Sequence, residues 1–129
     1  MLANLFLRFT GILFALYGGF LYLDPQYLME LLALGDGSAA RVEVRAMYGG
    51  LQLAMGVFLI LASLRGPLYT EVALVVTIAV FAGLATARAA GLMIDGVDGY
   101  NLGACIYEAI SLVIAILLYQ KQRSANQAS

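Results

Sequence analysis

The chain has 129 residues, of which 63% are hydrophobic and 12% charged, with a formal net charge of −1. Soluble domains carry roughly 45–50% apolar and about 25% charged residues, so this chain lacks the polar side chains needed to coat a water-facing surface. That excludes a soluble enzyme, a nucleic-acid binder and a disordered tail, and leaves a small integral membrane protein with a mean hydropathy of +0.91.

There is no histidine and one cysteine, Cys105. Histidine-held haem or zinc, Ser–His triads, internal disulfides and paired redox thiols all need residues the chain does not have. No metal or cofactor is expected. Cys105, among Gly103, Ala104 and Ile106, reads as a small packing residue.

Crossing the apolar slab as a helix takes about 20 residues. Four segments are long enough: 2–23, 44–64, 72–92 and 102–119. The first is uncharged but for Arg8; with no small-x-small cleavage pattern before Asp24 it reads as a retained helix rather than a signal peptide. Asp24-Pro25, Arg65-Gly66-Pro67 and the run Asp95-Gly96-Val97-Asp98-Gly99 punctuate the spans. Four spans leave no room for a soluble domain, so residues 1–129 read as one transmembrane domain. The expected fold is all-α, an integral membrane four-helix bundle.

The connection between the first two spans carries its own helical signal over about 25–34. Asp24 and Pro25 suit its start and Gly35 its stop, while Tyr27, Leu28, Leu31, Leu32 and Leu34 crowd its circumference. It is too short to span and is expected to lie in the membrane interface, its leucines hidden among headgroups; a lid is the alternative.

Orientation follows from the charges. With both termini cytoplasmic, the inner side holds Arg8, Arg65, Lys121 and Arg123 against Glu71, and the outer connections hold Asp24, Glu30, Asp36, Asp95 and Asp98 against Arg41. This obeys the positive-inside rule and speaks against dual topology. The expected location is the bacterial inner (cytoplasmic) membrane.

Four charges remain: Glu43, Arg45, Arg88 and Glu108, all assigned to the outer half of the bilayer. An ionised group at a helix centre costs about 2.5–3.5 kcal/mol on insertion scales, so two Arg and two Glu call for mutual pairing. Arg45 and Arg88 are the natural partners of Glu108 and Glu43. On the second span Arg41, Arg45, Tyr48 and Gln52 fall on one stripe, and on the fourth Asn101, Cys105, Glu108, Ser111 and Ala115 form another. Glu43, Arg45, Tyr48, Gln52, Arg88 and Glu108 are the candidate ligand-binding residues. They describe either a polar pocket whose guanidiniums hold an anionic headgroup or carboxylate, or a closed ion-pair network that fixes helix register.

Small residues at four-residue steps mark helix contacts: Gly11, Ala15 and Gly19; Ala46, Gly50 and Ala54; Ala79, Gly83, Ala87 and Gly91. Intramolecular packing is the expected use of these rows, a homodimer seam the alternative; monomer and homodimer both stay open. The Asp95–Gly99 run is not a calcium loop, because the twelfth position is Ile106 where a bidentate Glu belongs.

The stretch from Arg41 to Gly56 resembles the signature of a bacterial family of small four-helix membrane proteins, domain of unknown function 4345. There an E-x-R-A-x-Y-G-G-x-Q-x-x-x-G run opens the second helix, and Glu43, Arg45, Tyr48, Gly49, Gly50, Gln52 and Gly56 occupy it here. Asp24-Pro25 and Arg88 also fit. The resemblance covers nearly the whole chain, implies the four-helix topology, and brings no reaction with it.

Three functions follow from these readings. The first is a membrane protein that binds a lipid-like or amphiphilic small molecule in an outer-leaflet polar pocket, or serves as an accessory membrane subunit. The second is a small transporter or proton-coupled exchanger using Glu108 and Arg88. An enzyme with Glu43 or Glu108 as general base is the weakest, having no evident nucleophile or metal.

Overall fold

A computed structural model describes residues 1–127. The elements are α1 (Leu2–Leu23), α2 (Gln26–Leu31), α3 (Ser38–Glu43), a π-helical stretch (Val44–Gly50), α4 (Leu51–Leu64), α5 (Pro67–Ile94) and α6 (Gly99–Gln127), with no strand among the described residues. Four continuous helices are long and apolar enough to cross a membrane: Leu2–Leu23, Ser38–Leu64, Pro67–Ile94 and Gly99–Ser124. The all-helical fold and the four span-length helices are as expected. The second helix starts at Ser38, six residues before the first apolar turn of its span, because a polar first turn can sit outside the apolar slab.

The chain divides into two compact units, residues 4–64 and the remainder from Arg65 with Met1–Ala3. In the first unit α1 runs antiparallel to the second long helix along a seam of very small residues. A Cβ added at Gly11 would stand 2.8 Å from the Gly56 carbonyl oxygen, and one at Gly56 2.5 Å from that of Gly11. At Gly18 it would collide with the backbone nitrogen of Leu53, and at Gly49 it would lie 2.8 Å from Cα of Tyr22. Only glycine permits this approach, in which Cα–H groups face carbonyls across the interface. The α1 seam therefore runs Gly11, Ala15, Gly18, Tyr22, at steps of four, three and four. This corrects the expected row: Gly19 meets nothing within 4 Å.

At one end of this seam the Arg8 Nε–H donates to Ser63 Oγ (3.2 Å), and the Ser63 hydroxyl donates to the Ile60 carbonyl (2.7 Å). At the other, α2 turns Leu28 and Met29 onto Leu21 and Val44, all buried. Those side chains are thus inside the protein, not among headgroups; Tyr27, Leu31 and Leu34 are the exposed ones. The stop also falls earlier than Gly35. Ala33 takes a left-handed conformation (φ 51°), and the Leu34 N–H reaches back to the Met29 carbonyl at 2.9 Å. That is a Schellman closure made with alanine in glycine's usual place.

In the second unit α5 and α6 form an antiparallel hairpin. Gly66, at φ 112°, starts the turn into α5, and Pro67 occupies the first helical position, where its missing N–H is no loss. The packed face of α5 is Thr70, Ala73, Leu74, Thr77 and Phe81; that of α6 includes Glu108, Ser111 and Ala115, the stripe expected from the sequence. Thr77 donates to the Ala73 carbonyl at 2.7 Å, so this buried hydroxyl needs no partner from another helix.

Candidate functional site

The α5–α6 hairpin carries a chain of polar contacts from its turn into its packed face. Asp98, just before α6, accepts from the Asn101 backbone N–H at 2.9 Å and from the Asn101 side-chain amide at 2.8 Å. The first contact is an N-cap: it satisfies a donor that the first turn of a helix leaves unused and puts negative charge at the positive end of the dipole. The bond to the Asn101 backbone, then that to its side chain, holds the Asp98 carboxyl below its ordinary range. Asn101, oriented in this way, accepts from Nη1 of Arg88. Arg88 in turn donates from Nε to both carboxylate oxygens of Glu108 (3.1 and 3.0 Å) and from Nη2 to Oε1 (2.9 Å).

Glu108 is 4% exposed. It is tolerable there because the planar guanidinium fork meets its carboxylate with several donors, the strongest geometry for such a pair. Cys105 Sγ lies 4.0 Å from the Ala85 carbonyl, one turn nearer the hairpin's turn, consistent with a packing role. On the other side Phe81 and Tyr107 meet edge to face with centroids 5.8 Å apart.

A cleft of about 380 Å³ opens beside this chain, all of its lining drawn from α5, α6 and their turn. Leu84, Ala87 and Leu92 give it an apolar wall, Arg88, Asn101, Asp95 and Asp98 a polar end, and Gly91 and Gly96 complete its lining. Its size falls at the small end of the 300–1,000 Å³ typical of ligand sites. Asp95 and Asp98 were absent from the sequence-derived site set, although an Asp immediately before a helix is a readable N-cap signal.

The candidates in the other unit are placed differently. Among the described residues Arg45 pairs with no carboxylate; its Nε–H donates to the Tyr22 carbonyl at 3.2 Å. It caps the C-terminal end of α1, where the last carbonyls lack partners and a cation suits the dipole. Glu43 is exposed and forms no ion pair among the described residues. Tyr48 is exposed and Gln52 half-buried. The expected stripe of Arg41, Arg45, Tyr48 and Gln52 is interrupted by the π-helical stretch, whose wide turn takes up about one extra residue and so rotates the following face by ~100°. Arg41 is engaged locally, donating to Gln26, which donates to Glu30 and Asp36. Among the described residues no group of three or more His, Cys, Asp or Glu could hold a metal ion.

The family described as a domain of unknown function, DUF4345, matches residues 2–120. The chain belongs to the DUF4345 family. No curated protein and no solved structure resembles it at a significant level. In this DUF4345 protein the run from Glu43 to Gly56 crosses from α3 through the π-helical stretch into α4. Two of its glycines, Gly49 and Gly56, are where α1 comes closest.

Proposed function

We propose that this is a multi-pass protein of the bacterial inner membrane, with both termini cytoplasmic, that binds a lipid-like or other amphiphilic small molecule in the α5–α6 cleft. The observation that carries the reading is the cleft itself: an apolar wall beside a fixed polar end at the turn of a span-length hairpin. Such a shape suits a molecule with a tail and a head. Arg88 and Glu108 supply rigidity rather than free charge, since each is largely satisfied by the other. The charge sorting supports the orientation: Arg65, Lys121 and Arg123 lie at one end of this hairpin, Asp95 and Asp98 at the other.

The test is gentle extraction of the full chain followed by mass spectrometry. A retained amphiphile in the native protein, absent from an Ala87→Phe variant that fills the cleft, is the expected result. Equal retention in both would remove the cleft from consideration. A second reading, proton-coupled exchange, draws on the burial of Glu108: protonation would release Arg88. It requires pH-dependent flux in liposomes that Glu108→Gln abolishes.

A further inference from the structure

The charges around the cleft do not cancel, and the remainder has a sign. Arg88 faces the cleft but is held by Glu108 and Asn101. Asp98 faces it too, its charge set against the N-terminal end of α6 and its oxygens bonded to Asn101. Asp95 has no such compensation. It stands at the C-terminal cap of α5, where the helix presents its own partial negative charge and where a basic residue would be favourable. Its side chain makes no hydrogen bond or ion pair among the described residues. One carboxylate oxygen is turned back along the helix, 3.9 Å from where a Cβ on Gly91 would be.

Resting on the cleft reading above, we infer that the amphiphile bound there carries a cationic head, an ammonium or similar group seated against Asp95 at the end of α5 with its alkyl chain along Leu84, Ala87 and Leu92. This reverses the sign suggested by the sequence, in which unpaired guanidiniums would select an anionic headgroup. The guanidinium that reaches the cleft is already spent on Glu108; the carboxylate is not.

Three probes with one alkyl chain and different heads separate the outcomes: dodecyltrimethylammonium, dodecyl phosphate and dodecanol, each titrated onto the full chain in phosphatidylcholine nanodiscs and read by native mass spectrometry. An exposed charge pair is weak, but attraction of one head adds to repulsion of the other, so the ammonium probe should bind roughly tenfold more tightly than the phosphate. The gap should narrow as salt rises. Asp95→Asn, isosteric and exposed, should bring the two probes to similar affinity and leave dodecanol unchanged. Ala87→Phe should remove all three. Equal affinities in the native chain, a preference for phosphate, or an ammonium preference that survives Asp95→Asn would each overturn the charge assignment while leaving the cleft as a binding site. Saturable binding of none of the three would overturn the cleft reading itself.

Discussion

The two helical hairpins contain glycines in similar positions and use them in opposite ways. Between α1 and the Ser38–Leu64 helix, Gly11, Gly18, Gly49 and Gly56 bring backbone against backbone. Between α5 and α6, Gly83, Gly99 and Gly103 meet nothing within 4 Å, and Gly91 meets only Asp95. That hairpin is held instead by side chains, above all Arg88 on Glu108. Inside a bilayer both solutions work, since neither depends on expelling water: one gains dispersion and weak Cα–H contacts through close approach, the other gains a charge-assisted hydrogen-bond network. The first leaves no room for anything else. The second leaves a cleft.

The comparison can be broken most sharply at Arg88. Arg88→Ala strands Glu108 at a buried position, and loss of one partner of a buried pair costs about 3–5 kcal/mol. Unfolding in a defined detergent should show this, with Arg88→Leu combined with Glu108→Leu recovering most of the loss. A double variant as unstable as the single one would mean the pair does more than neutralise itself.

Next in size is the glycine seam. Gly56→Ala forces a methyl against Ala15 and the Gly11 carbonyl, an overpacking cost of about 1–3 kcal/mol. Gly83→Ala, facing open space, should be neutral or gain up to ~1 kcal/mol from helix propensity. Similar effects at both positions would erase the distinction between the hairpins. Ala33→Gly should relieve the left-handed strain at the end of α2 and raise stability by up to ~1 kcal/mol, read in the same unfolding assay.

The smallest effect concerns Asp98. Its carboxyl is more acidic folded than unfolded, so its cap is stabilising above the ordinary carboxylate range and is lost as pH falls through that range and below it. Hydrogen exchange at the Tyr100 and Asn101 amides should therefore be faster in Asp98→Ala at neutral pH. The difference from the native chain should shrink as the buffer is acidified below pH ~4. A gap that persisted would place the cap's contribution outside the carboxylate's charge.

Much of this was legible one helix at a time. The Asn101–Ala115 stripe marked the packed face of α6 because 3.6-residue winding is set by the backbone and holds along an uninterrupted helix. The pairing of Arg88 with Glu108 was among the alternatives for a different reason: both residues were too deep to remain alone. Arg45 was misread because an unpaired carbonyl at the end of α1 competes with any carboxylate for a guanidinium, and backbone acceptors carry no mark in the sequence. Gly18 was passed over for Gly19 because a row of four-residue steps and a seam of alternating threes and fours contain nearly the same residues.

Composition by itself determined that the helices are apolar enough to cross a membrane. Length and punctuation determined four span-length helices, and the scarcity of reactive side chains determined how little chemistry is on offer. Those properties are sums or short-range periods along the chain. Which glycines touch, what Arg45 caps, and which charge is left facing the cleft were decided only by tertiary structure. Each depends on the rotation of one helix against another, and a single π-helical turn at Val44–Gly50 is enough to change that rotation.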